Sequence, residues 1–182
     1  ALPNAPIPAV AKTYHIPGAG DPDLYALEIA STILSSGQSS RLYRKLVYQD
    51  QTAVAAEGGT MNFEGPSMFY LFGIVNQAKG DAKAVEKGLQ DAVNELNAEG
   101  VSAEELEKAK SQTLRTLILK SQTMQGRGDS IGYGAVILND PRRVNSELEK
   151  YQKVTAADVL RVAKKYLAQS NETRMIFTGE KK

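Results

Sequence analysis

Apolar residues recur along this chain at two spacings, three-to-four and two, and the switches between them mark out its elements. Leu24, Leu27, Ala30 and Leu34 share one helical face behind Asp21 and Pro22, a capping residue followed by proline at the first helical position, and Gly37 supplies the stop. A shorter helix starts near Ser39, with Leu42, Tyr43, Leu46 and Val47 as its inward stripe. Ala53 to Asn62 and Ser67 to Val75 then alternate as two strands around Phe63-Glu64-Gly65-Pro66, the turn of an antiparallel hairpin. In the second strand Met68, Tyr70, Phe72 and Ile74 point one way while Phe69, Leu71 and Val75 point the other, so both faces are at least partly covered.

Helical spacing returns at Asp81, with Val85, Leu89, Ala92, Val93 and Leu96 inward and a stop at Gly100. Ser102-Ala103-Glu104-Glu105 is a capping box that opens a long helix. Leu106, Ala109, Thr113 and Leu117 form its stripe, and no breaker precedes Gly126, so it extends to Ser121 or beyond. Glycines at 126, 128, 132 and 134 predict a loop or helix break, the most mobile segment of the chain. Asn139-Asp140-Pro141 starts another short helix. Thr155-Ala156-Ala157-Asp158 caps a last one, with Val159, Val162, Ala163, Tyr166 and Leu167 inward. Ala9 to Tyr14 opens the fold as a strand, ended by Pro17-Gly18, and Arg174 to Thr178 closes it as another. Hairpin-linked strands segregated from runs of helices predict an α+β fold, an antiparallel sheet with helices packed mainly on one face.

At 182 residues, 42% hydrophobic and 24% charged, the chain has material for one substantial core. Three prolines within residues 1–8 make that stretch an extended linker, which suggests a fragment of a longer chain. The 22 basic and 21 acidic residues nearly cancel and give no electrostatic footprint for nucleic acid. Cysteine is absent, which excludes disulfides, thiolate metal sites and Cys nucleophiles. No apolar run reaches the length of a membrane span.

The segment Ser35 to Val54, SSGQSSRLYRKLVYQDQTAV, carries the most specific signal. With Ser40-Arg41-Leu42-Tyr43, the capped helix beginning Ser102-Ala103-Glu104-Glu105-Leu106-Glu107-Lys108-Ala109-Lys110, and Val154-Thr155-Ala156-Ala157-Asp158-Val159, it resembles the second, non-catalytic domain of the pitrilysin/insulinase-like zinc metallopeptidases. The resemblance covers roughly residues 9–180 and implies a single non-catalytic peptidase-family domain over 9–182. It also implies two-domain units that face each other around a closed chamber. The zinc then belongs to a partner catalytic domain, held by a helical H-x-x-E-H motif plus a distal Glu; the partners are that domain and a peptide substrate, in a homo- or heterodimer. Aligned on Ser40 to Tyr43, the family's substrate-orienting Arg and Tyr fall on Val47 and Val54, which cannot donate a hydrogen bond to a peptide carbonyl. Bacterial two-domain members are often exported, so the resemblance favours the periplasm.

One histidine, His15, rules out H-x-x-E-H in this chain, and its place beside a Pro-Gly turn makes it an ordinary loop residue rather than a ligand or base. Gly128-Asp129-Ser130-Ile131-Gly132 spells G-x-S-x-G but follows no strand, so no nucleophile elbow is expected there, and no phosphate-cradling glycine motif is present. Glu104, Glu105 and Glu107 complement a helix dipole. Arg41 is the one candidate for a contact with chamber-bound peptide, set against a capping or interface ion pair. Arg127-Gly128-Asp129 and the glycosylation pattern Asn171-Glu172-Thr173 are short enough to recur by chance. No catalytic, cofactor-binding or metal-binding residue is assigned. The reading is a chamber-walling, peptide-contacting domain of a zinc metallopeptidase. Its alternatives are an assembly subunit of a proteolytically inactive relative and a stand-alone α+β binding module.

Overall fold

The two alternating runs at 53–61 and 67–75 form a hairpin, and the rest of the sheet is laid against its second strand. The computed structural model describes residues 7–177. The strands are β1 (Ala9–Ile16), β2 (Ala53–Met61), β3 (Ser67–Val75) and β4 (Glu172–Phe177), all antiparallel, in the order β2-β3-β1-β4. Between them run α1 (Asp23–Ser35), a π-helical segment over Tyr43–Gln49, α2 (Ala82–Glu99), α3 (Ala103–Ser121), α4 (Met124–Val136), α5 (Glu147–Lys153) and α6 (Ala156–Tyr166). Helices α1, α2 and α6 cover one face of the sheet, and α3 and α5 stack on the outer side of α1. The α+β architecture with its helices mainly on one face is therefore the observed one. Among the described residues no helix is long and apolar enough to cross a membrane.

Burial follows the period-two pattern. On β3, Phe69, Leu71 and Val75 are buried beneath the helices, and the ring of Phe69 meets Tyr14 of β1 edge-on at 6.4 Å. Leu27 and Leu34 of α1, Leu89 and Leu96 of α2, and Val159 and Val162 of α6 close over them with no exposed surface. Each such leucine stabilises the fold by roughly 1.5–3 kcal/mol. Lys12, only 2% exposed, lies among these side chains, ion-paired with Glu172 of β4 at 2.8 Å and donating to Gln90 Oε1 of α2 at 2.6 Å. Tyr14 donates to the other oxygen of Glu172 at 3.0 Å, so edge strand β4 is tied to the core by polar as well as backbone bonds.

Both capping boxes form: Ser102 with Glu105 and Thr155 with Asp158. Asp21 accepts from the Asp23 N–H at 2.8 Å, and Gly37 takes a left-handed φ of 77°. Gly18 is fixed by space rather than torsion, since a Cβ there would lie 2.5 Å from the carbonyl oxygens of Glu64 and Gly65.

Four expectations need correction. The glycine cluster is not a break: residues 124–136 are helical, capped by Thr123, whose hydroxyl accepts from the Gly126 N–H at 3.0 Å. Packing and capping outweigh the low helix propensity of its four glycines. The segment after Ser40 widens into a π-helix, closed by Asp50 N–H on the Lys45 carbonyl at 2.8 Å. Past Asp140 a short 3₁₀ turn, Pro141–Asn145, precedes α5, so one expected helix is two elements. Strand β1 extends to Ile16, which puts His15 in the sheet rather than in a loop. Residues 1–6 of the expected linker and Thr178 of the expected last strand lie outside the described residues.

Candidate functional site

The richest concentration of chemistry lies where α1, the end of β2, α3, α4 and α5 converge. Two adjoining hollows, about 240 and 560 Å³, share Lys120, Tyr133, Leu138 and Glu147 in their walls. The smaller is polar. Glu28 enters it from α1, with Tyr25 one turn earlier; Asn62 comes from the end of β2, and Glu147 and Tyr151 from α5. The larger is an apolar trough formed by Leu117, Ile118, Ile131, Val144 and Leu148.

Glu28 is held by the Tyr151 hydroxyl on one oxygen and by Asn62 Nδ2 at 2.5 Å on the other. Burial pushes its carboxyl above the ordinary glutamate range; the Tyr151 and Asn62 hydrogen bonds oppose this only in part. Tyr25 donates to Glu147 at 2.9 Å, and its hydroxyl is pushed up to about 12 by burial and by that carboxylate. The rings of Tyr25 and Tyr151 meet edge-on at 5.0 Å, which locks the two tyrosine–glutamate pairs side by side. Asn62 Oδ1 is buried without a partner.

Two carboxylates, each engaged by a tyrosine and with no histidine among them, do not make a zinc site, which takes three or four nitrogen, sulfur or oxygen ligands. Among the described residues no group of three His, Cys, Asp or Glu side chains could hold a metal ion. No activated nucleophile lies in these walls either. The arrangement offers a hydrogen-bonding end and an apolar floor, which is a surface for binding.

The residues singled out from sequence lie elsewhere. Arg41 Nε and Nη2 hold Glu105 at 2.8 and 2.9 Å, and Nη2 also reaches the Gly100 carbonyl at 2.8 Å. It thereby ties the start of the π-helical segment to the first turn of α3. Chiefly the Arg41 hydrogen bonds hold Glu105 down to about 2. Val47 packs against the core, and Val54 is 55% exposed at a bulge between Ala53 and Ala55. His15 is exposed on the sheet face away from the helices, paired across strands with Met68. Asn171 uses its side-chain amide to bond the His15 and Tyr166 carbonyls. Sequence reasoning missed Glu28, Glu147 and their tyrosines. Their signal is the polar line Tyr25, Glu28, Thr32 at helical spacing, running beside the apolar stripe of α1.

Residues 2–113 match the family model described as the peptidase M16 inactive domain. The chain belongs to the M16 peptidase family, as its inactive domain. The M16 match ends within α3, but structural similarity continues beyond it. An inactive peptidase domain from Bordetella parapertussis is 28% identical over 98% of this chain and 96% of its own, with a TM-score of 0.85. A protease from Helicobacter pylori shares the fold at 22% identity and TM-score 0.85, over 93% of this chain but 41% of its own. The periplasmic protease PqqL from Escherichia coli shares it at 15% identity and TM-score 0.77, over 97% of this chain and 20% of its own. This M16 domain thus spans well under half the length of those two proteases. No curated protein matches the chain.

Proposed function

We propose that this domain is the non-catalytic C-terminal half-unit of a zinc metallopeptidase, where it walls the substrate chamber and contacts peptide. The zinc is carried by an H-x-x-E-H catalytic domain of the same or a partner chain. One observation carries the reading: Glu28 and Glu147 in the main cleft are each engaged by a tyrosine, with Lys120 and Arg143 in the same walls and no histidine, a set of groups for holding a ligand and not for cleaving one. The apolar trough beside them suits aliphatic or aromatic peptide side chains, and the polar end suits a backbone amide or a basic group. Its longer structural relatives include a periplasmic protease, which supports the periplasm as the compartment.

The test is zinc content and peptidase activity, measured on the isolated domain and on the full-length protein. The expected result is neither zinc nor turnover in the isolated domain, and both in the full-length chain or its complex with the partner chain. Stoichiometric zinc with turnover in the isolated domain overturns the reading. Replacing Ile131 and Leu148 by Asp in the full-length enzyme is expected to raise KM for apolar peptides with little change in kcat, as loss of ground-state binding does.

A further inference from the structure

The apolar trough beside the Glu28 hollow has a cationic rim. Lys120 of α3, Arg127 of α4 and Arg143 of the Pro141–Asn145 turn stand in its walls, and none of the three makes an ion pair among the described residues. Arg127 Nε donates to the Ser121 carbonyl at 2.6 Å and Arg143 Nη2 to the Gly20 carbonyl at 3.4 Å. These bonds orient both guanidinium groups and leave each with N–H donors to spare. Glu147, the carboxylate in the trough's walls, already accepts from Tyr25 at 2.9 Å and from Lys150 at 3.4 Å. Positive charge is therefore in excess above an apolar floor, where Ile118, Ile131 and Leu148 are 46, 48 and 38% exposed. Backbone contacts at both ends of α4 hold the trough open. Gly126 packs against the Lys120 carbonyl and Gly134 against the Asp140 carbonyl, where a built Cβ would lie 2.0 and 3.0 Å away. Those two contacts set the spacing of α4 from its neighbours, so the hollow is a standing feature of the packing. Its volume of about 560 Å³ falls within the roughly 300–1,000 Å³ of small-ligand sites.

We infer that the trough binds the C-terminal end of an apolar peptide, with the free carboxylate held by Lys120, Arg127 and Arg143 and the last side chains laid on Leu117, Ile131 and Leu148. The inference rests on the peptide-contacting reading given under Proposed function and names the class of ligand. Charge complementarity selects an anion, and the planar guanidinium pairs a carboxylate through two parallel hydrogen bonds. The cations and the apolar floor share one hollow, so the ligand carries its charge and its apolar group close together. A chain end does so, since carboxylate and side chain are borne by the same Cα. Hydrolysis of a peptide bond makes one such end at every cleavage, so the ligands of this site are cleavage products and substrates that have already been trimmed.

The test uses three probes on the 182-residue chain: N-acetylated alanyl-leucyl-leucine with a free carboxylate, its C-terminal amide, and an amidated peptide of the same length carrying glutamate. Methyl NMR reports affinity and location together. The free acid is expected to shift the signals of Leu117, Ile131, Val144 and Leu148, and the amide to bind about ten-fold more weakly, the worth of one charge-assisted hydrogen bond. That difference is expected to shrink in about 1 M salt, which screens exposed charges. Lys120→Gln and Arg127→Gln, both at exposed positions, are each expected to weaken the acid several-fold and leave the amide unchanged, with melting temperatures close to the parent's. Arg142→Gln, a neighbouring cation outside the trough's walls, is expected to change neither. Equal binding of acid and amide overturns the inference, as do shifts confined to another surface and unchanged affinity in both wall variants. An amidated glutamate peptide that binds as tightly as the free acid also overturns it, because an acidic side chain is then the ligand. Binding of none of the three peptides overturns the peptide-contacting reading as well, whereas equal binding of acid and amide in the trough leaves that reading standing, so the two failures are distinguishable.

Discussion

Glu28 and Glu105 illustrate how one residue type is driven in opposite directions by its surroundings. Glu105 is held down to about 2 by the Arg41 guanidinium, so the folded state binds its proton less tightly than the unfolded chain does. Its stabilising contribution is present above about 4.5 and is lost as pH falls toward 2. Glu105→Gln is expected to lower the melting temperature at pH 7 and to flatten its decline between pH 4.5 and 2, as measured by thermal melts across pH. For Glu28 burial raises the folded value, so the folded state holds the proton more tightly and stability falls as pH climbs past the ordinary glutamate range. Glu28→Gln keeps an acceptor for Tyr151, removes the buried charge, and gives the partnerless Asn62 Oδ1 a donor if that amide turns over. The expected outcome is a higher melting temperature than the parent at pH 8 and little difference at pH 4. A lower value at pH 8 would show that the carboxylate is needed in its charged form.

At the scale of elements, α4 separates two kinds of glycine. A Cβ on Gly126 would lie 2.0 Å from the Lys120 carbonyl oxygen, so α3 and α4 meet closely only because that position has no side chain. Gly128 and Gly132 have nothing within 4 Å of a built Cβ. Replacing those two by Ala is expected to stabilise the domain by about 0.5–1 kcal/mol each through helix propensity. Gly126→Ala is expected to destabilise it by about 1–3 kcal/mol through overpacking. Urea unfolding of the three variants checks both signs. This element also marks where sequence reading stopped. Capping boxes and apolar stripes announced α2, α3 and α6 because their signals are local: Ser102 bonds Glu105 three residues on, and Leu89 and Val93 fall on one face by spacing alone. For α4 the local signal is glycine, which opposes a helix, and what outweighs it is Thr123 capping and contact with α3 and the Pro141–Asn145 turn. The π-helical segment was hidden for the same kind of reason. Its Leu46 must pack where a Cβ on Gly88 of α2 would lie 2.2 Å from it, a constraint from residues far along the chain.

For the whole molecule, the sequence by itself determined the α+β class, the hairpin, the direction of every β3 side chain, and the family. It also determined that a chain with one histidine and no cysteine cannot assemble the family's catalytic motif. These follow from short-range periodicity and from counting, which need no coordinates. Tertiary structure alone decided which face of the sheet the helices took, since alternation states that β3 has two apolar faces without saying which is covered. It decided that Arg41 holds Glu105, 64 residues away, and that Glu28 of α1 meets Tyr151 of α5 in a closed hydrogen-bonded pair. The physical reason is the same throughout. Helix and strand patterns are fixed by neighbours within a turn, whereas burial, the shifted protonation of Glu28 and Glu105, and the cleft itself arise from side chains that only the folded packing of distant segments brings together.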